Sequence, residues 1–60
     1  MNIIEAGMAL ERGEHVFMSS IPNEIIFGDC KWMLRGYNES ISDWMPSTRH
    51  ILATDWEIVK

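Results

Sequence analysis

The chain has 60 residues, with five Lys or Arg against nine Asp or Glu and a formal net charge of −4. A chain this short forms a single small domain, residues 1–60, and buries only about 60% of its unfolded surface, so its core is marginal without a staple. One cysteine excludes an internal disulfide, no Cys/His cluster has metal-ligand spacing, and five scattered cations exclude the basic stripe of a nucleic-acid binder. The remaining staple is self-association, and the composition favours it: 47% of the residues are hydrophobic, among them three Trp and five Met. The opening MNIIEAG has no basic segment and the apolar runs are short. Neither a signal peptide nor a membrane span is expected, and a lone thiol suits a reducing cytoplasm.

Asn2 followed by Glu5 fits a capping box. Ile3, Ala6 and Leu10 then recur at helical spacing, with Ile4 and Met8 widening the stripe, and Gly13 supplies a left-handed stop. Residues 3–12 are therefore expected to form a short amphipathic helix. Gly7 lies on its apolar face at a propensity cost of roughly 1 kcal/mol, which predicts close approach of a strand or a partner subunit. From Glu14 the period becomes two: His15, Phe17 and Ser19 alternate with Val16 and Met18. Ile21-Pro22-Asn23 is expected to break this strand, with a second at Glu24 to Phe27. Gly28-Asp29 reads as a turn into a third strand, Cys30 to Arg35, where Trp32 and Leu34 share one face. Gly36-Tyr37-Asn38-Glu39 reads as another turn, and Ile41 to Met45 as a fourth strand that Pro46 ends. Ser47 or Thr48 caps a helical turn through Ile51, Leu52 and Ala53, and Trp56 to Val59 closes as a strand. The even spacing of Trp32, Trp44 and Trp56 reads as similar strand lengths in a meander, since their neighbours do not match. The expected fold is α+β, one N-terminal helix packed on an antiparallel sheet of four to five strands, with a short helical turn before the last strand.

Enzyme chemistry finds little support. His15, His50 and Cys30 show no spacing that predicts a nucleophile with an oriented base. Asp29 and Asp43 fall where aspartate serves turns and strand ends, and Asp55 is placed to accept backbone amides at a corner. No phosphate loop, metal motif or nucleophile elbow is present. Binding fits better. Phe17, Trp32, Tyr37 and Trp44 are stackable rings, and Lys31, Arg35 and Arg49 are anion partners. Ser47-Thr48-Arg49 carries the strongest local pattern, a helix start with free amides and a cation in its first turn. The bland alternative pairs Arg49 with Glu57 or Asp43.

The stretch WMPSTRHILATDWEIV, Trp44 to Val59, resembles the C-terminal signature of the small phage Thoeris anti-defence sponge family. Members often end in Trp-x-Pro-Ser, a short turn, Leu-Ala-x-Asp-Trp-Glu and two apolar residues. The opening NIIEAGMALERGEHV is similar to the family's N-terminal helix, and together the two stretches span about half of the chain. The middle departs: longer members carry a basic segment with a Trp-Asn-Gly-like turn, where this chain has FMSSIPNEIIFGDC. The resemblance implies a homo-oligomer, dimer or tetramer, that works in the host cytoplasm. It would hold a cyclic nucleotide immune signal, a cyclic ADP-ribose isomer or a cyclic dinucleotide, without cleaving it and with no cofactor or metal. The candidate ligand-binding set is Phe17, Trp44, Ser47, Thr48 and Arg49. The rival expectation is a protein-binding inhibitor or accessory module that docks exposed Met and Trp side chains on a host protein; a purely structural role is a third.

Overall fold

Asn2 Oδ1 accepts the Glu5 amide at 2.9 Å while Glu5 Oε1 accepts the Asn2 amide at 3.0 Å, a reciprocal cap that starts helix α1, Ile3–Glu11. Its end is a Schellman turn, in which the Gly13 N–H donates to Leu10 and the Glu14 N–H to Ala9, both at 3.0 Å. Gly13 sits at φ +86°, a conformation that a side chain would strain. In this computed structural model, which describes residues 1–28, 31–36, 38 and 40–60, five strands follow. They are β1 Val16–Met18, β2 Ile21–Phe27, β3 Met33–Arg35, β4 Ile41–Asp43 and β5 Trp56–Ile58, with helix α2, Thr48–Leu52, between the last two. The readings made for Asp29, Cys30, Tyr37 and Glu39 lie outside the described residues.

The strands pair antiparallel in the order β4-β3-β2-β1-β5, so the C-terminal strand docks beside the first. This is the α+β arrangement anticipated from the periodicities, with five strands and the short helix in place. Several boundaries differ: α1 ends at Glu11, β3 begins at Met33, β4 ends at Asp43 and β5 at Ile58, each shorter than the periodicity suggested, and β2 is longer. Ile21-Pro22-Asn23 does not break the strand but begins β2, and the chain turns at Ser19-Ser20 instead. The physical reason is that β3 pairs only with Ile25 to Phe27, so Pro22 lies where no third strand needs its missing N–H. The turn is held from a distance: Asp55 Oδ2 accepts the Ser20 amide at 3.0 Å and the Ser19 hydroxyl at 3.2 Å.

The core lies between α1 and one face of the sheet. Ala6, Ala9 and Leu10 of the helix bury against Val16, Met18, Ile26 and Trp56, with Trp32, Leu34, Trp44 and Ile58 packed around them. The cross-strand partners Ile58, Val16, Ile26 and Leu34 all point to this side. Val59, just past the end of β5, is exposed. Gly7 faces the Trp32 indole, just before β3: a Cβ built there would meet Cζ2 at 3.6 Å, ordinary contact. Among the described residues no helix is long and apolar enough to cross a membrane.

Candidate ligand site

Trp32 immediately precedes β3 and Trp44 immediately follows β4. Because Met33 pairs with Asp43, the two tryptophans are the next rung of the ladder, and the Trp44 N–H donates to the Trp32 carbonyl at 3.1 Å. Their rings stack at 5.6 Å and 25°. Trp44 also meets Trp56 edge-on at 6.0 Å and His50 at 5.2 Å, so the three evenly spaced tryptophans converge on one cluster. Trp56 is buried at its base, and its Nε1–H donates to the His50 carbonyl at 3.2 Å. Trp32 and Trp44 are only half-buried. Their open sides wall a groove of ≈ 450 Å³ with Lys31, Asp43, Met45 and Pro46.

The cation on this wall sits where the chain passes close to Gly28. Gly28 has φ +100°, and a Cβ there would lie 2.3 Å from the Lys31 carbonyl, so only glycine lets the chain come back this closely. Lys31 Nζ then pairs with Asp43 Oδ2 at 3.0 Å across the β3–β4 end, with both side chains largely exposed. An exposed pair of this kind contributes about 0–1 kcal/mol, so an anionic ligand exchanges for Asp43 at small cost. A flat indole pair beside an exchangeable ammonium suits a planar base joined to phosphate.

Of the residues expected to bind, only Trp44 lines this groove. Phe17 is on the opposite face of the sheet, paired with Glu57. Ser47 is the N-cap of α2, directly after the groove residue Pro46, and Thr48 and Arg49 follow on its exposed first turn. The Ser47 amide donates to His50 Nδ1 at 3.0 Å, and the Ser47 hydroxyl lies 2.8 Å from the same nitrogen. An accepting Nδ1 puts the imidazole proton on Nε2. The anion reading of this helix end therefore weakens, because its own histidine takes up the cap. Arg49 is in the first turn, as expected. In a helix of five residues the first and last turns overlap, so Arg49 also lies in the last turn, where a cation is favoured. Among the described residues the ion pairs are Arg12–Glu14 and Lys31–Asp43, so Arg49 meets neither Glu57 nor Asp43.

Asp55 fills the backbone role expected of it, although the amide it accepts belongs to Ser20, in the β1–β2 turn. No group of three His, Cys, Asp or Glu among the described residues is arranged to hold a metal ion. The members of the groove that sequence reasoning left out of the site are Lys31, Trp32, Asp43, Met45 and Pro46. The available signal was the tryptophan spacing, read as strand length when it is the convergence of rings from three strand ends. No protein-family model and no curated protein matches the chain.

Proposed function

We propose that this chain is a phage anti-defence protein that binds and sequesters a host cyclic nucleotide signal, a cyclic ADP-ribose isomer or a cyclic dinucleotide, without cleaving it. The observation that carries this reading is the half-open Trp32–Trp44 stack walling a ≈ 450 Å³ groove beside Lys31. A base stacks on the open indole faces, and a phosphate replaces Asp43 as the partner of Lys31. Arg49 offers a second cation from the exposed first turn of α2, three residues beyond Pro46, although it does not line the groove. The resemblance of Trp44 to Val59 to the sponge signature supports the same ligand class.

The test is calorimetric titration of the protein with cyclic ADP-ribose isomers and with cyclic dinucleotides, alongside quenching of tryptophan fluorescence. Wild-type protein is expected to bind one of them with quenching. Lys31→Ala is expected to weaken binding roughly tenfold, the loss of one charge-assisted contact, and to leave the melting temperature nearly unchanged. Wild-type protein that binds none of these ligands removes the proposal. A docking role on a host protein is favoured by a separate observation, the exposure of Ile4 and Met8 on α1 and of Ile51 and Leu52 on α2, two helices that touch.

A further inference from the structure

Lys31 and Asp43 enter the groove as one unit. Asp43 holds the last rung of the β3–β4 ladder, opposite Met33, and Trp44 follows it at about 3.3 Å along the chain. Lys31 arrives from the other side, just before Trp32, and its ammonium lies 3.0 Å from Asp43 Oδ2. Indole, carboxylate and ammonium therefore line one wall, in that order, within the reach of a single nucleotide. When a phosphate takes Lys31, the Asp43 carboxylate loses its partner and is left beside a second anion. That arrangement is repulsive unless a donor replaces the ammonium. Met45 and Pro46, which complete the groove, bring no such donor. The ligand has to supply it.

We infer that Asp43 reads the sugar: its carboxylate accepts a free ribose hydroxyl on the carbon next to the one that carries the Lys31-bound phosphate. This rests on the cyclic nucleotide reading of the groove and narrows it. Lys31 Nζ and Asp43 Oδ2 are one hydrogen bond apart, so the two groups they take must be about as close in the ligand. A 2′-hydroxyl beside a 3′-phosphodiester, or a 3′-hydroxyl beside a 2′-phosphodiester, meets that condition, because the two oxygens sit on adjacent carbons. The N–H groups of a base edge do not, since the sugar stands between a base and its phosphate. The pyrophosphate of a cyclic ADP-ribose isomer is carried on 5′ carbons, whose neighbouring carbon bears the ring oxygen and no hydroxyl. A cyclic dinucleotide with a free hydroxyl next to its phosphodiester is therefore the member of the proposed class that fits, whatever its bases.

The test is calorimetric titration with 3′,3′-cyclic di-AMP and 3′,3′-cyclic di-GMP, each against its bis-2′-deoxy counterpart, and with cyclic ADP-ribose isomers. Wild-type protein and Asp43→Ala are compared, with the fold of the variant checked by circular dichroism. Wild-type protein is expected to bind the ribose form about tenfold more tightly than the deoxy form, the effect of one hydrogen bond to a charged acceptor. It is also expected to prefer the dinucleotide to the cyclic ADP-ribose isomers. Asp43→Ala is expected to bring the ribose and deoxy forms level. Because loss of the carboxylate also frees Lys31, the deoxy ligand is expected to bind the variant at least as well as it binds wild-type protein. A carboxylate that serves only as the resting partner of Lys31 shifts both forms by the same factor, so a ratio unchanged by Asp43→Ala overturns the inference. Wild-type protein that binds both forms equally, or prefers a cyclic ADP-ribose isomer, overturns it too and leaves the cyclic nucleotide reading standing. Wild-type protein that binds no cyclic nucleotide removes both.

Discussion

Trp56 is 2% exposed, the largest side chain in the core, and its indole N–H is satisfied by the His50 carbonyl. Trp56→Ala therefore removes a buried ring and strands an acceptor, at a cost of about 3–5 kcal/mol. At about 0.05–0.15 kcal/mol per residue, a 60-residue domain has about 3–9 kcal/mol in all, so the variant is expected to be largely unfolded by circular dichroism at 37 °C. Asp55 makes a different contribution. Donation from Ser20, by its hydroxyl and then its backbone N–H, with a smaller share from Ser19, lowers its pKa from the ordinary 3.8. A carboxylate lowered on folding adds stability above its unfolded value and loses it as pH falls through the folded one. Wild-type protein is thus expected to lose stability below about pH 4, whereas Asp55→Asn lacks that part of the pH dependence. Thermal melts of both proteins from neutral pH to pH 2 check the difference.

At the scale of elements, α1 was legible from local chemistry alone: its capping box, its apolar stripe and its glycine stop all act within a few residues of one another. Its interior glycine is the exception. Because a Cβ at Gly7 meets Trp32 only at ordinary contact distance, Gly7→Ala is expected to stabilise the helix by up to about 1 kcal/mol. For a domain of this size that raises the melting temperature by about 4–8 °C, measurable by calorimetry. A fall in melting temperature would mean that the indole needs the space. The start of β2 was less legible. Proline punctuation suggested a break at Ile21-Pro22-Asn23, but the pairing around Pro22 depends on how far β3 extends, which no local pattern reports.

At the scale of the molecule, the two faces of the sheet divide the surplus apolar content that composition alone reveals. One face takes α1 and the tryptophan cluster; the other presents Phe17, Ile25, Phe27 and Met33 with Glu57 and Arg35 among them. Of the three tryptophans, Trp56 is in the core and Trp32 lies on Gly7. Phe17 lies on that outer face, away from the Trp32–Trp44 groove. The groove survives at the remaining corner, where β3 and β4 end and Trp32 and Trp44 stay half-buried.

The sequence by itself determined the order and type of the elements, since helical and strand periods, caps and turn glycines act over a few residues. It also named the rings and cations available for binding. Tertiary structure alone decided which of them meet. Trp32, Trp44 and Trp56 are twelve residues apart in the chain, yet the antiparallel ladder brings the first two onto one rung and the docking of β5 beside β1 puts the third beneath them. Strand order and register are set by packing between segments distant in sequence, and a pattern read along one segment carries no record of that packing.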